Sequence, residues 1–145
     1  MTPFEARCFT EAVANWVRGE PALRGLALAG SWARGAARPD SDLDLIILTD
    51  SPHSFRSDLR WLDRIVLPDP YRVNEHRGAV YGAVWSCHAM LAPAGELELS
   101  FSTPKWTATD PIDDGTRRVV SDGFSIIVDK DGHLQRVVEA VKRSK

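Results

Sequence analysis

Phe9, Val13, Trp16 and Val17 recur at helical spacing, and the residues before them form a helix start. Thr2 reads as N-cap, Pro3 as the first helical residue, and Glu5 as the partner that closes a capping box. Gly19 and Pro21 end that helix. The apolar run at 23–29 stops at Gly30-Ser31 and suits a buried strand. Residues 31–41, with Gly35, Pro39 and Asp40-Ser41, read as a loop. Residues 42–48 are a second strand, apolar on both faces after Asp44 and so expected near the centre of a sheet. A helix is expected over 54–63, an irregular stretch at Pro68-Asp69-Pro70, and a short strand at 72–75. Two longer strands, 80–91 and 96–102, are joined by a turn at Pro93-Ala94-Gly95. Asp110-Pro111 marks a helix start, and 124–128 a strand before the Asp131-Gly132 turn. Leu134, Val137, Val138 and Val141 give a terminal helix at i, i+3, i+4, i+7.

This order predicts an α/β (α+β) fold, one mixed sheet flanked by helices, as a single domain over 1–145. A chain of 145 residues with 43% hydrophobic content supports one ordinary core. There is no repeat or low-complexity linker to divide it.

Charge and cysteines narrow the classes. A net charge of −2 and a pI near 6.1 argue against a dedicated nucleic-acid binder, which carries a basic excess. Cys8 and Cys87 are far apart with no CxxC, so neither a disulfide framework nor a zinc site is expected. The first residues do not read as a secretory leader, and no apolar run reaches the roughly 18 residues that span a bilayer. The expectation is a soluble, cytoplasmic protein without membrane contact.

The informative segment is Gly30-Ser31, ten residues, then Asp42-Leu43-Asp44. Alternate strand residues share a face, so Asp42 and Asp44 project together with Cα atoms about 6.5 Å apart. Two adjacent carboxylates under cover need a cation or a proton. Two Mg²⁺ ions roughly 4 Å apart fit between such ligands and a triphosphate. Gly30 has no Cβ and lets a phosphate approach the backbone, while Ser31 adds a hydroxyl and an N–H. Of the nearby cations Arg34, Arg38 and Lys105, Arg34 is the best phosphate contact because it lies in the Gly-Ser loop. Trp32 is a candidate base contact.

Gly30-Ser31-Trp32-Ala33-Arg34-Gly35, followed by Pro39-Asp40-Ser41-Asp42-Leu43-Asp44-Leu45, resembles the signature of the DNA-polymerase-β-like nucleotidyltransferase superfamily. Pro104-Lys105-Trp106 and the stretch 115–123 are similar to small bacterial proteins of the minimal nucleotidyltransferase type, which extends the resemblance over nearly the whole chain. The resemblance implies Mg²⁺-dependent transfer of a nucleoside monophosphate from a nucleoside triphosphate, with ATP the expected donor. It implies a third carboxylate on a later neighbouring strand. Glu98 fits best, mid-strand among apolar neighbours, and Glu96 on the same face is the alternative. Asp42, Asp44 and Glu98 would then be both catalytic and metal-binding residues, with Gly30, Ser31 and Arg34 holding the nucleotide.

His53, His76, His88 and His133 show no metal-ligand spacing and receive no role. Cys87 and His88 do not form a nucleophile pair, because strand neighbours point to opposite faces. Relatives that modify antibiotics carry a further helical domain, for which no segment is seen in this sequence. The acceptor is therefore open, as is a protein partner or a homodimer that completes the pocket. A second reading follows: an antitoxin-like or regulatory module that binds a partner protein. A degenerate domain that holds nucleotide without turnover is a third reading, disfavoured by the intact acidic triad.

Overall fold

The structure is a computed structural model, described over residues 1–144. Helix α1 (Pro3–Gly19) begins with the expected capping box: Glu5 N–H donates to Thr2 Oγ1, and Thr2 N–H donates to the Glu5 carboxylate. Strand β1 (Leu23–Ala29) leads into a single helical turn, α2 (Gly30–Ala33), and then through a loop to β2 (Leu43–Thr49). The segment 31–41 is thus not all loop. Helix α3 (Pro52–Ser57), strands β3 (Arg72–Tyr81), β4 (Val84–Ala92) and β5 (Glu96–Ser102), helix α4 (Asp114–Ser121), strand β6 (Phe124–Asp129) and helix α5 (His133–Arg143) complete the chain.

The six strands form one mixed sheet in the order β3-β4-β5-β2-β1-β6. All pairings are antiparallel except β2 with β5. The mixed sheet flanked by helices agrees with the sequence reading, and β2 is central as expected. One face is dry. Leu43, Leu45 and Ile47 of β2 and Leu97, Leu99 and Phe101 of β5 pack there with Phe9, Val13 and Val17 of α1. Trp16, Phe55, Trp61 and Phe101 form an aromatic group in the same core, with Trp16 and Trp61 stacked at 5.2 Å. On the other face, Leu134 of α5 covers Ala27 and Leu48. That cover leaves the starts of β2 and β5 open, and the polar residues of this face lie there.

Several boundaries differ from the sequence reading. The helix expected at 54–63 breaks at Asp58, whose backbone is extended (φ −140°, ψ 112°) and whose carboxylate accepts from Arg60 N–H. A 3-10 segment, Leu59–Arg64, follows. The strand expected at 72–75 continues to Tyr81, and 80–91 is not one strand. The chain reverses at Gly82-Ala83, where Gly82 adopts φ +62°. The exposed residues of β3 show no apolar alternation, so its length was invisible in the pattern. No helix starts at Asp110-Pro111. Asp113 is the cap, accepting from Thr116 N–H. The last strand runs one residue further, to Asp129, and its carboxylate caps α5 by accepting from the N–H groups of Leu134 and Gln135.

Candidate active site

Parallel pairing of β2 with β5 puts Leu43 beside Leu97 and Asp44 beside Glu98. Asp42, one residue before β2, stands beside Glu96 as Asp44 stands beside Glu98. Four carboxylates from two strands thus occupy one patch. Burial, then the charges of Glu98 and Asp42, push the Asp44 carboxyl up to about 7. Burial, then the hydrogen bond and charge of Glu96, raise Asp42 to about 6, while His88 and Arg77 oppose the rise. The patch therefore holds protons at pH values where ordinary carboxylates have lost them.

Strand β4 adds a residue to which sequence reasoning gave no role. Antiparallel pairing sets His88 opposite Glu98. His88 is only 4% exposed, with Nε2 3.0 Å from Glu98 Oε1 and Nδ1 3.5 Å from Glu96 Oε2. The longer approach is not a formed hydrogen bond. Tyr81 Oη lies 3.3 Å from the same Nε2. The signal for this site was present in the sequence: a hairpin turning at Pro93-Ala94-Gly95 pairs Met90 with Glu96, and hence His88 with Glu98. Cys87, the next residue back, points into the core, and burial pushes its thiol up to about 11. The two side chains do part to opposite faces.

On the other side of β2, Ala29 pairs with Asp44, and Gly30 starts the helical turn. Gly30 has φ +69°, and a Cβ there would lie closer than 3.0 Å to Asp44 Oδ2. The turn closes through Arg34 N–H donating to Gly30 O at 3.2 Å and Ala36 N–H to Ser31 O at 2.9 Å.

Gly30, Arg34, Asp44 and Glu98 line one cleft of about 820 Å³. Its far wall comes from 103–122 and its rim from the β3–β4 turn. Lys105 and Arg118 line it too, and among the described residues neither makes an ion pair. Asp42 and Glu96 stand at the strand starts, outside the lining, as does Ser31, which is half-buried. Arg38 does not reach the cleft. Trp32 packs against the main core instead, with Nε1 buried and unpartnered. Arg118 reaches the cleft from α4, and its linear sequence carries no signal for that placement.

The donor set suits a hard cation: carboxylate oxygens in excess, held close enough to need positive charge. Among the described residues, no three His, Cys, Asp or Glu side chains converge as a ready cage. The carboxylates face each other across the strands, Asp42 and Asp44 hold their protons above the ordinary range, and a cation would compete with those protons for the same oxygens.

Residues 18–78 match the family model of the nucleotidyltransferase domain. The match covers β1, the Gly-Ser turn and β2, less than half of the chain, and ends before Glu98. It bears out the resemblance carried by the Gly-Ser and Asp-x-Asp segment, and the chemistry of such a domain is nucleotidyl transfer. Among solved structures, that of the Cid1 poly(U) polymerase is similar at a TM-score of 0.47 and 17% identity. The similarity covers 69% of this chain and 30% of the polymerase, so the chain spans less than a third of that protein. No curated protein matches the sequence. Among the described residues, no helix is long and apolar enough to cross a membrane.

Proposed function

We propose, from the nucleotidyltransferase match over residues 18–78, that the chain transfers a nucleoside monophosphate from a nucleoside triphosphate to an acceptor hydroxyl. The observation that carries this reading is the pairing of Asp44 with Glu98 in the cleft, directly beside Gly30. Asp42, Asp44 and Glu98 would hold two Mg²⁺ ions, with Glu96 the alternative third ligand. When bound, the metal supplies charge neutralisation for the triphosphate and the departing pyrophosphate.

The chain's own groups do the rest. Gly30, having no Cβ, leaves that place to the Asp44 carboxylate and lines the cleft where the triphosphate would lie. Arg34, Lys105 and Arg118 line the cleft as cations for the triphosphate. The acceptor oxygen bonds to the α-phosphorus as the bond from that phosphorus to the bridging oxygen breaks, and pyrophosphate leaves. Glu98 accepts the acceptor's hydroxyl proton, and His88 holds Glu98 in place from behind. The acceleration comes from positioning and preorganised charge, without a covalent enzyme intermediate.

Titration calorimetry with MgATP, MgGTP, MgCTP and MgUTP, on wild type and on Asp42→Asn/Asp44→Asn, tests this reading. The expected result is binding of at least one nucleotide, ATP first, that requires Mg²⁺ and disappears in the double variant. Absence of binding by all four would overturn it.

One observation favours the partner-binding reading. Strand β3 is an edge of the sheet, and its end exposes Val80 and Tyr81, each at 55%. A protein that acts through that edge keeps its partner in Asp42→Asn/Asp44→Asn, whereas an enzyme loses its output.

A further inference from the structure

The cleft of about 820 Å³ is lined by charged and by apolar side chains. Near Gly30 and Asp44 it is charged. Beyond Glu98, alternate residues of β5 carry the floor onward through Ser100 to Ser102, about 13 Å along the strand. Ile46, Val84, Val119 and Trp106, the last stacked on Phe124 at 6.0 Å, give this inner arm its apolar lining, with Lys105 and Arg118 as the neighbours of Trp106 and Val119. Ser100 Oγ is already satisfied by Ser86 Oγ at 2.7 Å. Ser102 is 4% exposed, and its hydroxyl has no partner. A buried hydroxyl without a partner is costly, and a ligand atom that bonds to it recovers that cost.

We infer that the inner arm is the nucleoside pocket of the donor, with the base against Val84, Val119 and Trp106 and Ser102 as its selective polar contact. This rests on the nucleotidyltransferase reading and adds where the donor's base goes and what reads it. Apolar side chains beside a buried, unpartnered hydroxyl suit a flat heteroaromatic ring. A site built to bond one group discriminates against a ligand that lacks it.

Two ligand types separate the inference from the reading beneath it. Wild type, Ser102→Ala and Val119→Trp are titrated with the four Mg-nucleotides and with Mg-tripolyphosphate, which has no nucleoside. Val119→Trp is expected to weaken every nucleotide at least tenfold and leave tripolyphosphate unchanged. Ser102→Ala is expected to cost the preferred nucleotide about tenfold more than the others. In wild type, the amide signals of Ser100, Ser102 and Val119 should shift with the nucleotide and not with tripolyphosphate. If nucleotides bind and those signals stay still, or if both variants bind nucleotides as wild type does, the inference is overturned while the transferase reading stands. If neither tripolyphosphate nor any nucleotide binds wild type, both fall.

Discussion

Gly30 packs so closely against Asp44 that position 30 has no room for a Cβ. Two demands meet there, a backbone at φ +69° and the Asp44 carboxylate alongside it. Gly30→Ala is expected to cost about 1–2 kcal/mol from the backbone alone, and to displace the Asp44 carboxylate as well. Mg-nucleotide affinity should therefore fall by more than the stability loss accounts for. Thermal melting and calorimetry on the same variant check this. A variant that is destabilised yet binds nucleotide normally would detach Gly30 from the site.

Asp44 gives the site a pH signature. Its carboxyl sits at about 7 in the folded chain against an ordinary 3.8, so between those values the folded state holds a proton that the unfolded state has lost. Stability contributed by this group is full below about pH 4 and declines as pH rises towards 7. Asp44→Asn removes the penalty. After allowance for solvent screening, it should stabilise the protein at pH 8 by roughly 1–2 kcal/mol, about 2–4 °C in Tm per kcal/mol. At pH 4 the gain should vanish. Melting curves at both pH values decide it, and an Asn variant less stable than wild type at pH 8 would contradict the account of the carboxylate patch.

Mg²⁺ supplies the same relief by another route. At pH 8, saturating Mg²⁺ with nucleotide should raise the Tm of wild type, by about 2.7 kcal/mol of stabilisation at one hundred times Kd. Asp42→Asn/Asp44→Asn should show no such rise.

His88 is a positioning residue for Glu98. Removing the 3.0 Å contact with His88→Ala should lower kcat about 10–100-fold, in line with other loss of support behind metal ligands. KM for the nucleotide should change little, and His88→Gln should recover part of the rate. A variant that loses only stability, with kcat intact, would make His88 a structural core residue.

The register that brings His88 to Glu98 also buries Cys87 on the opposite face. In the native protein a thiol reagent should label half-buried Cys8 and spare Cys87 until the chain unfolds. Mass spectrometry of labelled peptides reads this out. Rapid native labelling of Cys87 would contradict the register of β4.

Much of the fold was legible because strong local signals coincide with real boundaries. The strands 23–29 and 96–102 and the capping box at Thr2 and Glu5 stand where the sequence put them. Errors fell where tertiary context decides. Strand β3 is exposed along most of its length, so no apolar alternation marks it. The early helix start at Asp110-Pro111 followed a turn signal, when the cap that forms is Asp113. Within the site, Asp42 and Asp44 could be placed together from strand period alone. Their juxtaposition with Glu96 and Glu98 needs the parallel register of β2 on β5, which local pattern does not encode. His88 is legible through the hairpin turn, which pairs it with Glu98, and not through its linear spacing.

The most direct measurement is a crystal structure of wild type with Mn²⁺ and a non-hydrolysable α,β-methylene analogue of the nucleotide bound most tightly. The account predicts metal at about 2.0–2.4 Å from carboxylate oxygens of Asp44 and its neighbours, phosphates against Gly30, and the base over Ser102. Metal and nucleotide bound elsewhere, with no metal at Asp44 or Glu98, would contradict it.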